Sequence, residues 1–231
     1  MMTCRIFLVF PAVLILAACS AASPPGYGAL KPDNALFSAA HAIQDQWQHV
    51  PMRGTTDYRI ALKDGRVAIQ AIGRNSASAL MRRVSVDPYR CPVIEWSWYV
   101  ARIQKNADIR IKDREDVAAS IFLLFGDPGF LSNPQPVPTL RYVWTNGTVP
   151  VETVVDNPYL QGVVRSIVVE SGTGRIGRWV TERRNVLADF RRAFGREPNE
   201  AIHAIALFTD NDQTEEPVEA YYGQAHMECV P

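Results

Sequence analysis

Short segments of apolar or alternating residues, separated by turn residues, make up most of the chain after residue 57. In residues 93–100, Ile94, Trp96 and Trp98 alternate with other side chains, as a strand with one buried face requires. Asp64-Gly65 lies between two alternating segments, and glycine accepts the positive φ of a tight hairpin turn. No strand–helix–strand order is present. The pattern therefore predicts an all-β fold, an antiparallel β-sandwich of the jelly-roll type.

The other strands are predicted from the same signals. Residues 117–125 are almost continuously apolar, which favours a central strand that is buried on both faces. Two short helices are also predicted: residues 35–47 place apolar side chains near helical spacing, and Asn185 can cap a second helix that Gly195 ends. The remaining predicted strands are residues 58–62, 67–71, 80–86, 140–144, 163–170, 179–183, 201–209 and 218–228.

Length and charge exclude some classes of protein. The 231 residues suit one domain with a sizeable core, and 47% of them are hydrophobic, which excludes a wholly disordered chain. Lys and Arg total 24 and Asp and Glu total 24. Because this balance leaves no positive charge to neutralise phosphates, we expect no nucleic-acid partner.

The N-terminus resembles that of bacterial lipoproteins. An apolar segment too short to span a bilayer, residues 6–16, ends in Leu16-Ala17-Ala18-Cys19, which is similar to a lipobox. The resemblance implies that residues 1–18 are a signal peptide and that Cys19 is acylated, with palmitate among its lipids. Residues 19–34 would then be a flexible tether and residues 35–231 a single domain. Ser20 favours the outer membrane, facing the periplasm, over the inner one. An ordinary signal peptide with a chance cysteine is the alternative.

The cysteine count predicts one disulfide. Cys4 leaves with the signal peptide and Cys19 carries lipid, so Cys91 and Cys229 remain in a compartment that permits disulfides. We predict that these two residues are bridged; two buried free thiols are the alternative.

Familiar catalytic motifs are absent from the sequence. It contains no Gly-x-Ser-x-Gly and no Ser-x-x-Lys. The four histidines form neither His-x-x-x-His nor His-Glu-x-x-His, so their spacing predicts no zinc site.

Aromatic residues offer one route to a ligand. Trp96 and Trp98 share a strand face and would suit a platform on which sugars stack. Ile94 and Val100 lie on the same face, however, and favour the sandwich core. Three other aromatic residues are candidates for exposed ligand contacts: Trp47, Tyr99 and Trp144.

Acidic and polar residues near strand ends form the main candidate site. Before one strand lie Glu115 and Asp116, and beyond another lie Asp210, Asn211, Asp212 and Thr214. Such groups bind calcium, act as an acid/base pair on a glycosidic bond, hydrogen-bond a sugar, or cap backbone amides in turns. We expect a structural or ligand-supporting role, with a partner such as Arg183. Calcium is the alternative; it would need Glu115 or Asp116 as added ligands, because the calcium-loop pattern is missing.

Several short motifs follow one another in a fairly specific order along the chain. The motifs are WSW at 96–98, DREDVA at 113–118, LRYVW at 140–144, ERRNV at 182–186, DF at 189–190, FG at 194–195, TDNDQT at 209–214 and YYG at 221–223. Together they resemble a bacterial family called domain of unknown function 3047, over about residues 47–227. The family has Asp-Asp where this chain has Glu115-Asp116. The resemblance implies the extent of the domain but no activity. Its strand pattern is similar to that of jelly-roll carbohydrate-binding modules, a likeness of fold and not of site.

Three functions fit these observations. The first is a lipid-anchored, non-enzymatic protein of the cell envelope that binds a glycan or another envelope component. The second is a polysaccharide hydrolase or lyase that uses the loop carboxylates. The third is a structural lipoprotein with protein partners only. Apart from calcium, no cofactor is expected. Convergence of Asp116, Asp210 and Asp212 around a cleft would favour a ligand site.

Overall fold

The structure, a computed structural model, describes residues 35–37 and 47–230. The predicted signal peptide, Cys19 and most of the tether lie outside these residues. The described residues form one α-helix, α1 (Val186–Phe194), a 3-10 turn at Lys112–Arg114 and thirteen strands. The strands are β1 (Ala35–Phe37), β2 (Trp47–Arg53), β3 (Asp57–Lys63), β4 (Arg66–Ile72), β5 (Ala77–Val86), β6 (Val93–Arg102), β7 (Ala119–Phe125), β8 (Thr139–Thr145), β9 (Val154–Asp156), β10 (Val164–Ser171), β11 (Val180–Asn185), β12 (Ile202–Phe208) and β13 (Glu219–Glu228).

Two sheets pack against each other, which confirms the predicted β-sandwich. The first sheet has the order β11-β6-β13-β4-β3, and β1 also pairs with β13. The second sheet has the order β2-β5-β12-β7-β8-β10-β9. Among the described strands every pairing is antiparallel except β8 with β10, which is parallel. β9 lies between these two strands in the chain and pairs antiparallel with β10, so the chain reverses twice and β10 runs in the direction of β8.

Aromatic side chains fill the space between the sheets. Trp96 and Trp98 of β6 are 1% and 0% exposed, and Trp144 of β8 is 0% exposed. The Trp96 ring stacks on Tyr142 with centroids 5.0 Å apart, and the Trp98 ring lies 5.9 Å from Trp144. The prediction that these three tryptophans contact a sugar is therefore wrong, because their rings are buried in the core between the sheets. Tyr99 is also buried, on the other face of β6, and Trp47 is half-buried against the core.

One of the two predicted helices is wrong. Ala35–Phe37 is strand β1, which pairs with β13, and Trp47 begins strand β2, which pairs with β5; residues 38–46 lie outside the described residues. Sheet pairing has overridden the local helical spacing here. The second helix is confirmed: the Asn185 side chain accepts a hydrogen bond from the Ala188 amide, and Gly195 ends the helix at a φ of 68°.

A disulfide joins Cys91 to Cys229, as the cysteine count predicted. It ties the segment before β6 to the end of β13, across a sequence separation of 138 residues. Closing a loop of this length stabilises the folded chain by at most about 4–5 kcal/mol through the entropy of the unfolded state. Within the described residues, no helix is long and apolar enough to cross a membrane.

Candidate functional site

A cleft of about 600 Å³ opens on the outer face of the second sheet. This face carries an apolar cluster separate from the core between the sheets, and loop residues such as Ile109, Leu131 and Val149 pack onto it. Phe122 and Phe208, near the middle of the sheet, line the cleft between these loops. A concave, partly apolar surface with a few polar groups is the usual form of a small-ligand site.

The sheet brings the predicted carboxylates together at one end of this cleft. β7 and β12 are antiparallel neighbours, so the residues before β7 meet those after β12. The Asp210 amide donates to the Val117 carbonyl at 3.2 Å. Carboxylate oxygens of Asp116, Asp210 and Asp212 lie within 4.8 Å of one another, and all three side chains are buried. Glu115, Asp210 and Asp212 line the cleft.

Asp116 holds the loop after β12 in place. Its Oδ1 accepts a hydrogen bond from the Gln213 amide at 3.2 Å, and its Oδ2 accepts from the Thr214 amide and hydroxyl at 2.7 and 2.5 Å. Asn211 Oδ1 accepts from the Ser76 amide at 3.2 Å. The turn-capping role expected of this loop thus falls to Asp116, Asn211 and Thr214, and Asp210 caps the Val117 amide as well as lining the cleft with Asp212.

Arg141, in the middle of β8, is the charged residue that the sequence interpretation missed. It is 1% exposed and lies on the cleft floor, with its guanidinium 5.0 Å from the Phe122 ring centroid and 5.8 Å from that of Phe208. Its Nη1 donates to Glu115 Oε1. Among the described residues, neither Nε nor Nη2 of Arg141 has a hydrogen-bond partner. The structure therefore buries two free donors that lie side by side on one edge of the guanidinium.

Two buried acceptors without partners lie in the same cleft. Asp212 Oδ1 and Gln213 Oε1 accept no hydrogen bond from any described residue. The side-chain nitrogen Nε2 of Gln213 donates to Asp212 Oδ2 at 3.1 Å and to the Tyr159 hydroxyl at 3.2 Å. Tyr159 is 47% exposed, so its ring forms part of the open rim. Unpaired buried polar atoms are rare in folded proteins and call for a partner from outside the chain.

Burial and mutual repulsion raise the pKa of two cleft carboxyls. Burial raises the pKa of Asp210 well above its usual value, and the negative charges of Glu115 and Asp116 raise it further. Burial also raises the pKa of Asp212, and Asp116 adds to the effect. A buried carboxylic acid that retains its proton at neutral pH donates a hydrogen bond or a proton to a bound ligand.

Arg183, offered as a partner for this loop, is not near it. It donates to both oxygens of Glu228, from Nε at 2.8 Å and from Nη2 at 2.6 Å, on the first sheet. The cation beside the loop is instead Arg53, whose Nη1 lies 3.7 Å from Asp212 Oδ2. Sequence position does not distinguish the two arginines, because both are distant from Asp212 along the chain.

Asp116, Asp210 and Asp212 offer carboxylate oxygens, which suit a hard cation such as calcium. Such a cation binds about six to eight oxygen ligands. However, Asp116 already accepts three hydrogen bonds, Asp210 Oδ1 accepts one from the Val117 amide at 2.9 Å, and the Arg53 guanidinium faces Asp212. These contacts favour the capping role over calcium.

Comparisons with known proteins give one family match and several distant structural likenesses. The model of the family described as "Protein of unknown function (DUF3047)" matches residues 45–226, and no curated protein matches the chain. The family 11 carbohydrate-binding module of the cellulase Lic26A-Cel5E of Clostridium thermocellum is 8% identical, over 85% of this chain and 95% of that one, with a TM-score of 0.45. A family 12 glycoside hydrolase is 11% identical, over 81% and 95%, with a TM-score of 0.46. The xyloglucanase domain of NopAA from Sinorhizobium fredii is 10% identical, over 80% and 92%, with a TM-score of 0.42.

Proposed function

Because the chain belongs to the DUF3047 family of proteins of unknown function, the family implies no activity, and we propose from the geometry of the cleft that it binds a neutral saccharide. The observation that carries the proposal is the pairing of unsatisfied donors with unsatisfied acceptors. Arg141 supplies two donor nitrogens without partners, Nε and Nη2, and Asp212 and Gln213 each supply a free oxygen. A sugar hydroxyl both donates and accepts, so one class of ligand satisfies all four atoms.

Other ligand classes fit these atoms less well. A carboxylate or phosphate would satisfy Arg141 but leaves the oxygens of Asp212 and Gln213 without a donor. An ammonium group would satisfy the oxygens and leave Arg141 without an acceptor. The cleft also contains acidic side chains beyond those already named, Asp113 and Glu215, which disfavours an anionic ligand.

The rim of the cleft supplies the apolar contacts that a sugar ring needs. Met52, Tyr159 and Leu160 line the cleft with 63%, 47% and 46% of their surfaces exposed. Carbon-bound hydrogens of a pyranose ring pack on such surfaces while the hydroxyls reach the polar floor.

Binding can be tested with an array of neutral and acidic envelope glycans, followed by titration calorimetry on the full chain with Cys19→Ser. Arg141→Lys keeps a cation for Glu115 but removes the free edge of the guanidinium, and Tyr159→Ala removes an exposed ring. Tyr89→Ala is the matched control, because Tyr89 is 53% exposed and lies outside the cleft.

We expect Arg141→Lys to weaken saccharide binding by roughly tenfold or more, Tyr159→Ala to weaken it by a smaller factor, and Tyr89→Ala to leave it unchanged. Two results would contradict the proposal: equal affinity of all three variants, or binding of acidic glycans alone.

Hydrolysis or lysis of the same saccharide is a second candidate function. Asp210 lines the cleft, and burial raises its pKa, which is the direction of shift that favours a general acid. Glu115 and Asp212 are the neighbouring carboxyls that would act with it. Release of shorter products from a bound polysaccharide, lost in Asp210→Asn while binding persists, would establish the activity. Unchanged polysaccharide after long incubation with native protein would leave binding alone.

We also propose that lipid on Cys19 anchors the domain in the cell envelope, on the periplasmic side of the outer membrane. The proposal is supported by the lipobox-like Leu16-Ala17-Ala18-Cys19. Detergent-free fractionation of Cys19→Ser should find the protein in the soluble fraction, and retention in the membrane fraction would argue for another anchor.

A further inference from the structure

Three metal-ligating side chains meet on the outer face of the first sheet, away from the cleft. They come from neighbouring antiparallel strands: Glu95 from β6, and His226 and Glu228 from β13. His226 lies directly opposite Glu95, and Glu228 lies two residues further along on the same face. One ligand atom from each of the three side chains lies within 4.8 Å of the other two. Directly opposed and diagonal residues on one sheet face are close enough to share an ion.

A second observation points to a ligand at this place. The His226 ring nitrogen Nδ1 is buried and has no hydrogen-bond partner within residues 35–37 and 47–230. His226 and Glu95 also line a cavity of about 80 Å³, whose other walls include Gln224 and Ser97. A polar cavity of this size has room for an ion with one or two waters.

Arg183 holds one of the carboxylates in position. Its guanidinium donates to both oxygens of Glu228, at 2.8 and 2.6 Å, from β11, which pairs with the other side of β6 and places Arg183 directly opposite Glu95. A metal-bound carboxylate is usually held by such a hydrogen bond from outside the coordination sphere. Glu95 and Glu228 are flanked by Arg66 and Arg183, so the formal charge of the group is near zero. Affinity would therefore depend on coordination and not on long-range attraction.

The disulfide restrains the same strand ends. Cys229 follows Glu228 directly, and Cys91 lies two residues before β6 begins. The bridge therefore limits the separation of β6 and β13 next to the ligands. Ligands that are already held together lose less conformational entropy when an ion binds.

We propose that Glu95, His226 and Glu228 form a binding site for a zinc ion, with water as the fourth ligand. A mixed set of one imidazole and two carboxylates suits zinc, whereas calcium and magnesium prefer oxygen ligands alone. The histidine spacing predicts no zinc site, because the motifs that indicate one, His-x-x-x-His and His-Glu-x-x-His, are those of a helix. On strands the equivalent signal is a ligand pair two residues apart, His226 and Glu228, opposite a third on the neighbouring strand.

Zinc titration of the full chain with Cys4→Ser and Cys19→Ser tests the site, since free thiols would otherwise bind zinc themselves. Calorimetry gives the affinity and stoichiometry, and the ¹⁵N resonances of the histidine rings show which ring the metal reaches. The variants are His226→Asn and the nearly isosteric Glu95→Gln. His203→Asn is the matched control, because His203 is half-buried in β12 of the other sheet.

We expect one zinc ion per chain, a zinc-dependent shift of the His226 ring resonances, and affinity at least about tenfold weaker in both His226→Asn and Glu95→Gln. His203→Asn should bind as the parent does. Affinity unchanged in Glu95→Gln and His226→Asn, or ring shifts confined to another histidine, would overturn the proposal. If His226→Asn fails to fold, Glu95→Gln decides. The result is independent of saccharide binding, because the two sites lie on different sheets.

Discussion

The two faces of β8 show how one strand serves two purposes. Tyr142 and Trp144 point between the sheets and pack on other aromatic rings, and their polar atoms have partners: the Tyr142 hydroxyl donates to Asp189 at 2.9 Å and the Trp144 indole to Gly172 at 3.1 Å. On the opposite face Arg141 is equally buried but retains two unpaired donors. On β8, the inner side chains leave no polar atom unpaired and the outer side chains do, although the indole nitrogens of Trp96 and Trp98 on β6 also have no partner among the described residues. We conclude that stability comes mainly from the inner face and recognition from the outer one.

Removing an inner aromatic ring should have the largest effect on stability. We expect Trp144→Ala to lower the free energy of unfolding by about 3–5 kcal/mol, because it leaves a large cavity between the sheets. Denaturant unfolding of the full chain measures this loss. Trp179→Ala is the matched control: Trp179 is half-buried on the far face of the first sheet, so the loss should be clearly smaller. Equal losses would show that the core is not concentrated between the sheets.

On the outer face the expected effect depends on both partners of an ion pair. Arg141→Met should lower the free energy of unfolding by about 3 kcal/mol, because Glu115 is left buried without its cation. The double variant Arg141→Met with Glu115→Leu should recover most of this loss, since two apolar side chains replace the pair. Denaturant unfolding of both single variants and the double variant gives the coupling energy. Additive losses would mean that the pair is not coupled in the folded protein.

The inner and outer faces also differ in how well the sequence predicts them. On the inner face, alternation in residues 93–100 and 140–144 was enough to predict strands, and Ile94 and Val100 correctly favoured the core for Trp96 and Trp98. Alternation is a local signal, and strand periodicity survives into the fold. The helix predicted over residues 35–47 failed because pairing with β13 and β5 is a long-range contact.

The candidate site was predicted only in part. Asp116, Asp210 and Asp212 were predicted because carboxylates in loops at the ends of a sandwich can bind an ion or act as an acid/base pair, and antiparallel neighbours then bring those ends together. Arg141 lay in a quoted motif but was not singled out, since a single charge within an apolar strand normally points to solvent. The signal that Arg141 is buried was Val143, an apolar residue on the same strand face, which indicates that loops cover this side of the sheet. Loop coverage cannot be derived from periodicity.

Glu182, on the edge strand β11, is an ionisable residue beside the inner region, and it predicts that the free energy of unfolding depends on pH. Burial raises the pKa of Glu182 from 4.5 to about 7, and the negative charge of Glu170 adds to the effect. The folded chain therefore binds this proton more tightly than the unfolded chain does. The resulting stabilisation is full below about pH 4.5 and is lost as the pH rises through about 7.

We expect Glu182→Gln to remove this dependence. Between pH 5 and pH 8, as measured by denaturant unfolding, the native protein should lose on the order of 1–2 kcal/mol more than the variant, a figure reduced because solvent reaches part of the side chain. The exposed Glu200→Gln is the control and should follow the native curve. Parallel curves for native protein and Glu182→Gln would show that the carboxyl titrates normally.

The smallest expected effect concerns calcium at the polar end of the cleft. An ion that binds only the folded chain must raise the melting temperature when it is present well above its dissociation constant. The oxygens of Asp116 accept hydrogen bonds from Gln213 and Thr214, and Arg53 lies beside Asp212, so a calcium ion would have to displace these contacts. We therefore expect millimolar calcium to shift the melting temperature by less than about 1 °C relative to EGTA, which corresponds to a few tenths of a kcal/mol in a chain of this size. A larger shift that saturates with calcium and disappears in Asp212→Asn would assign the three aspartates to an ion, and the unpaired oxygen of Asp212 would then be its ligand and not that of a sugar hydroxyl.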